Sequence, residues 1–151
     1  MFKGFKKKFI KVNKGKIFCR VGGKGPPLLL LHGYPQTHVM WHKTANELAK
    51  SFTIIVSDLR GYGSSFVLKS DSKHLNYSKR EMAKDMVQLM DKLGFKKFFI
   101  AGHDRGGRVA HRLARDFRKK VIAMSVLDIC PTLDMYEQTE KNFAKAYFHW
   151  F

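Results

Sequence analysis

A chain of 151 residues holds at most one domain, and 44% hydrophobic content is ordinary for a protein that buries a core. The formal charge of +17 is not ordinary, and its lysines and arginines run from Lys3 to Lys145 rather than gathering in one arm. No zinc finger, RNA-binding motif or recognition-helix pattern accompanies it. This argues against nucleic acid and for a lysine-rich surface that also attracts anionic substrates.

In chain order, Lys8–Val12 and Lys16–Val21 read as strands joined by a turn at Asn13-Lys-Gly15. The glycines and prolines of residues 22–27 make a loop. Leu28–Leu31 is a buried strand ended by His32-Gly-Tyr-Pro35. The pattern then predicts a helix from about Trp41 to Lys50 and a strand from Phe52 to Ser57. The acid and arginine in the loop Asp58-Leu-Arg-Gly-Tyr-Gly-Ser-Ser65 suggest a structural turn more than catalysis. Ser78 is a candidate N-cap, with Glu81 completing a capping box, for a helix running to Leu93. Met82, Met86, Leu89, Met90 and Leu93 share one face of it, a stripe that reads as core. A buried strand over Phe98–Ala101, a helix from Gly106 to Phe117 and another buried strand over Val121–Leu127 follow. From Leu133 onward the pattern is helical and aromatic. Strands alternating with helices predict a parallel sheet with helices on its faces. In such sheets, sites lie at the carboxyl ends of strands, where His32, Asp58, Asp104 and Asp128 all fall.

The run Ile100-Ala-Gly-His-Asp-Arg-Gly-Gly-Arg108 reads as a nucleophile elbow whose nucleophile is Asp104. A strand turning directly into a helix strains the central residue and leaves no room for side chains at Gly102 and Gly106. A carboxylate held there can attack carbon and form an ester that water later cleaves, which points to carbon–halogen or epoxide opening. An N-cap aspartate is the plainer alternative. An oxyanion hole would draw one N–H from Arg105 and a second from Tyr34, with Gly33 permitting close approach. Asp128, at the end of the next strand, is the candidate third member, a buried carboxylate that orients a histidine. Arg105 and Arg108 share a helix face and could grip a substrate carboxylate in a forked geometry. His149 and Trp150 offer ring N–H groups to a departing halide, or form an aromatic core cluster with Phe148 and Phe151.

Cys19 and Cys130 are the only cysteines and lack metal-ligand spacing. They suit a reducing compartment. No secretory signal and no run near the roughly 18 apolar residues of a membrane span appears. The basic-aromatic segment Phe2–Ile10 is a faint membrane-surface candidate. The chain therefore reads as cytoplasmic, with no metal, cofactor, membrane or nucleic-acid partner expected.

These motifs resemble the α/β-hydrolase superfamily and, within it, the haloacetate (fluoroacetate) dehalogenases. The resemblance runs from Met1-Phe-Lys-Gly-Phe5 through His32-Gly-Tyr-Pro-Gln36 and Asp58-Leu-Arg-Gly-Tyr-Gly63 to Gly102-His-Asp-Arg-Gly-Gly-Arg108. It continues in Leu127-Asp-Ile129, Pro131-Thr132 and His149-Trp150. It implies an α/β-hydrolase core over residues 1–130 and the start of a helical cap over residues 131–151. Asp104 is then the nucleophile, Asp128 the triad acid, and Tyr34 and Arg105 the oxyanion hole. Arg105 and Arg108 become the substrate carboxylate site, and His149 and Trp150 the halide site. The substrate is a small anionic haloacid, and a homodimer stays open for the complete enzyme. The family's triad histidine follows the last strand of a longer chain. None of His32, His38, His42, His74, His103, His111 and His149 follows a strand beyond Asp128, and the elbow should point His103 away. The expectation is an N-terminal portion with its last strands missing, an apolar sheet edge exposed and ester hydrolysis severely slowed. An epoxide hydrolase on the same scaffold and a non-catalytic, partner- or anion-binding module are the competing readings.

Overall fold

Alternating and continuous apolar runs build one six-stranded sheet in the computed structural model, which describes residues 1–148. Strands β1 (Lys6–Val12) and β2 (Gly15–Gly22) form an antiparallel hairpin. Strands β3 (Pro27–Leu31), β4 (Thr53–Ser57), β5 (Phe98–His103) and β6 (Val121–Leu127) are mutually parallel where they pair, and the order is β1-β2-β4-β3-β5-β6. Because β3 lies between β4 and β5 with both faces covered, Leu29, Leu30 and Leu31 are all buried, which explains a leucine run without alternation. Helices α2 (Lys79–Lys92) and α3 (Arg105–Asp116) cover one face, and Met82, Met86, Leu89 and Met90 pack there with Val109 and Leu113. On the other face Phe2, Trp41 and Ala45 pack against Leu30, Ile54 and Val56. The methionine stripe is core, and the Ser78 side chain caps α2 by accepting from Glu81 N–H.

Two elements differ from expectation. The predicted helix over residues 41–50 is a 3-10 turn, His38–Lys43, followed by the single-turn helix α1 (Ala45–Leu48). Thr37 starts this segment early by accepting the Val39 N–H. Thr44 interrupts it, because both its N–H and its hydroxyl donate to the Trp41 carbonyl. Strand β6 forms where predicted but is exposed rather than buried: Ile122 is 50% and Val126 43% accessible. Among the described residues it pairs only with β5, so one edge and much of its apolar surface stay open. Two short helices follow, α4 (Thr132–Glu137) and α5 (Lys141–Ala146). No helix among the described residues is long and apolar enough to cross a membrane, and Cys19 and Cys130 are free thiols.

Two buried polar clusters hold the loop after β4. Asp58 accepts from the His38 backbone N–H at 2.7 Å, the His38 ring Nδ1 at 2.8 Å and Ser64 N–H at 3.0 Å, the structural role its loop suggested. Arg20 Nε donates to His38 Nε2, which fixes that ring's tautomer. Below it, Arg60 meets Asp85 with two hydrogen bonds of 2.5 and 2.7 Å and also donates to the Asn76 and Glu81 carbonyls. Burial pushes the Asp85 carboxyl up, against the pull of the Arg60 guanidinium.

Breaking such a pair strands a buried charge, so Asp85→Ala is expected to lose about 3–5 kcal/mol in urea unfolding. An Arg60→Met, Asp85→Leu double variant should recover part of that loss. Asp58 behaves oppositely with pH. Burial would raise its carboxyl, but the His38 ring and the His38 and Ser64 N–H groups outweigh burial and hold it below its ordinary value. A lowered value in the folded state gives stability that is complete above the unfolded value, about 3.9, and is lost as pH falls through the folded one. Urea midpoints measured against pH should therefore fall less steeply below about pH 4 in Asp58→Asn than in the parent chain.

Candidate active site

Strand β5 runs straight into α3, and the residue at the turn is Asp104, at φ 47° and ψ −119°. That conformation is costly for a residue with a side chain, and its surroundings hold it in place. Asp104 N–H donates to the Leu127 carbonyl on β6, and its carbonyl accepts from Arg108 N–H. A Cβ on Gly102 would run into the Gly106 carbonyl, and one on Gly106 into the His32 carbonyl, so the first turn of α3 rests directly on the strand ends. The N-terminus of α3 and the strand's carboxyl end thus present the Asp104 carboxylate outward.

The loop after β3 meets that carboxylate. Tyr34 N–H donates to Asp104 Oδ2 at 2.8 Å. Gly33 makes the approach possible, since a Cβ there would lie 2.6 Å from the same oxygen. His32 is buried beneath the loop; its Nε2 accepts Leu59 N–H at 3.0 Å, so its Nδ1 carries the hydrogen donated to the Gly33 carbonyl at 2.8 Å. Burial pushes that ring's pKa down, which favours the neutral form those bonds require. Gln36 Oε1 accepts from Gly33 N–H, and the peptide bond between Tyr34 and Pro35 is cis.

Around Asp104 lies a cavity of about 780 Å³ lined by Tyr34, His103, Arg105, Arg108, Asp128, Tyr136 and Phe143, among others. The Arg105 guanidinium stacks on the Tyr34 ring, 4.7 Å from its centroid, and reaches the Tyr62 hydroxyl at 3.3 Å. Arg108 is half-buried, and its Nη2 lies 3.8 Å from the Met135 sulfur. Burial lowers the Arg108 pKa, while Tyr136 and Asp104 act to raise it. Lys79, at the start of α2, is pushed down by burial and by the charges of Arg105 and Arg108, so three cations act on one carboxylate.

The structure brings together Tyr34, Asp104, Arg105 and Arg108 as their motifs predicted. Asp128 differs. It ends β6 as expected, at φ 51°, yet its side chain is 88% exposed rather than buried. Nothing among the described residues covers the end of that edge strand. His103, expected to point away, instead lines the cavity: β5 continues through it, and its ring sits between Gln36 Oε1 at 3.1 Å and Asp128 Oδ2 at 3.5 Å. His149 and Trp150, the candidate halide donors, lie outside the described residues. Sequence reasoning placed His32 at the site end of its strand without a role, and it missed the parts played by Gln36, Tyr62 and Lys79. Gln36 and His32 did stand inside the loop motif, but their partners are distant in sequence.

A strained aspartate at a strand–helix elbow of a mostly parallel sheet, met by a backbone N–H from the first parallel strand's loop, defines an α/β hydrolase. The chain belongs to the alpha/beta hydrolase fold family, whose profile matches residues 26–151. It is 48% identical to the fluoroacetate dehalogenase of Burkholderia sp over 151 residues, which is 100% of this chain and 50% of that protein. Against the soluble epoxide hydrolase of Corynebacterium sp. (strain C12) it is 38% identical over 81% of this chain and 41% of that one. An α/β hydrolase structure from Nostoc sp PCC 7120 superposes with a TM-score of 0.97 at 53% identity, covering 99% of this chain and 52% of that chain. The chain thus spans about half the length of the relatives it matches.

Gly33→Ala should force the loop off Asp104. The expected outcome is faster hydrogen exchange at the Tyr34 amide and a loss of about 1–3 kcal/mol in urea unfolding.

Proposed function

We propose that this chain carries the nucleophilic half of a hydrolytic dehalogenase acting on short 2-haloacids. The supporting observation is the pairing of a strained, N–H-bonded Asp104 carboxylate with Arg105 and Arg108 in one cavity. In this reading the two guanidinium groups bind the substrate carboxylate and set its second carbon against Asp104. An Asp104 oxygen attacks that carbon, the carbon–halogen bond breaks, and the halide leaves with the bonding electron pair. Water then adds to the Asp104 carbonyl carbon. The N–H groups of Tyr34 and Arg105 take the negative charge on the carbonyl oxygen. Collapse releases a 2-hydroxyacid and restores the carboxylate; one proton goes to solvent. His149 and Trp150 are the proposed halide donors and Asp128 the proposed acid of the triad. Among the described residues no histidine follows a strand beyond Asp128, so for these 151 residues by themselves the second step is proposed to be slow and the ester to accumulate.

The Burkholderia relative's name supports haloacid chemistry, and an arginine directly after the nucleophile suits an anionic substrate. The Corynebacterium relative supports a second reading, epoxide opening by the same carboxylate. Mixing the chain with chloroacetate should give a chloride burst of at most one equivalent and a matching mass increase on the peptide holding Asp104. Asp104→Ala should abolish both. Arg108→Leu should raise the half-saturating chloroacetate concentration at least tenfold. Faster ester formation with a neutral epoxide than with chloroacetate would replace the first reading with the second.

A further inference from the structure

The Tyr34–Asp104 hydrogen bond joins the loop after β3 to the turn after β5, so its geometry depends on what ties that loop to that turn. Gln36 is that tie. Its Oε1 accepts Gly33 N–H at 3.2 Å and lies 3.1 Å from His103 Nδ1. Gly33 N–H can only donate, so the Gln36 atom between them is the oxygen and His103 Nδ1 carries the hydrogen. Gln36 N–H in turn donates to the Gly33 carbonyl at 3.0 Å, closing the turn that bears Tyr34. Each residue of the tie neighbours one end of the bond it supports: Gly33 precedes Tyr34, and His103 precedes Asp104.

We propose that His103 and Gln36 are a positioning pair that holds the Tyr34 N–H on the Asp104 carboxylate. The role rests on the reading of Asp104 as nucleophile and Tyr34 as oxyanion donor. An oxyanion donor works only within about 2.7–3.1 Å of its oxygen, and Tyr34 N–H sits at 2.8 Å. Without the Gln36 bridge the loop would keep only the His32 ring on the Gly33 carbonyl as a side-chain anchor, and the distance would widen, because glycine adds no packing of its own. His103 touches no reacting atom in this scheme. It acts through Gln36 on the Tyr34 amide, and its effect falls on rate rather than on substrate affinity, which Arg105 and Arg108 supply.

The test uses the full chain, with amide exchange at Gly33 and Tyr34 as one readout and, after the chloroacetate burst, decay of the Asp104 ester followed by peptide mass as the other. His103→Phe keeps a ring and removes the N–H. It should speed exchange at both amides about fivefold to tenfold and slow decay of the Asp104 ester similarly, with the half-saturating concentration of the burst unchanged. His103→Asn, whose amide N–H can reach the same oxygen, should restore most of both. Gln36→Leu should match His103→Phe, and the double variant should be no worse than Gln36→Leu alone. Unchanged exchange in His103→Phe and Gln36→Leu, or additive effects in the double variant, would overturn the pair. If the parent chain gives no burst, the dehalogenase reading fails, while the exchange measurements still decide whether the pair positions Tyr34. Gln36→Leu and His103→Asn carry the same test should His103→Phe not fold.

Discussion

The direct contact of the first turn of α3 with the carboxyl ends of β3 and β5 is the constraint on which the site depends. It leaves no space for side chains at Gly102 and Gly106, and it sets Asp104 in a backbone conformation that the flanking hydrogen bonds must sustain. Because Asp104 N–H reaches Leu127 and its carbonyl reaches Arg108, the strain is held by β6 on one side and by the helix on the other. The carboxylate therefore emerges at one fixed place, beside the N-terminus of α3. Everything else in the site is arranged around that point.

The loop after β3 is shaped to reach it. Gly33 supplies closeness, His32 anchors the loop from beneath, and Gln36 bridges to β5. Below, the Asp58–His38 and Arg60–Asp85 clusters fix the neighbouring loop, from which Tyr62 reaches the Arg105 guanidinium. Burial of these ionic groups is costly, and each is compensated by several hydrogen bonds of good geometry. The result is a cavity in which Arg105 and Arg108 flank the Asp104 carboxylate, in a chain that carries an overall charge of +17.

At the opposite side of the site the architecture is open. Strand β6 shows Ile122, Met124, Val126 and Leu127 to solvent, and Asp128 stands exposed at its end. In the relatives the matched region is about half of a longer chain. An edge strand with apolar side chains on show is the part of a sheet most prone to pair with other chains, which makes β6 the weak side of this fold in isolation.

Much of this was legible in the residues. The leucine run Leu28–Leu31, the capping box at Ser78 and the methionine stripe gave local structure, because propensity and patterning act over a few neighbours. The Gly-x-Asp-x-Gly-Gly run announced the elbow, since only a very tight turn excludes side chains at both flanking positions. Tyr34, Arg105 and Arg108 followed from their place beside it. The break at Thr44 was not legible, because competing threonine hydrogen bonds overrode helical spacing. Nor were the partners of Arg60, Gln36 and His103, which lie 25, 67 and 67 residues away in the chain and are selected by how the strands are ordered. The exposure of β6 and Asp128 had the same origin. Apolar composition marks a strand as able to be buried, whereas what covers it depends on its place in the sheet. Thus the sequence by itself determined the fold class and the tight elbow that bears Asp104, which rest on patterning and local sterics. Only the tertiary structure decided which polar groups hold the loop against Asp104, because those contacts exist only once β3, β4 and β5 lie side by side.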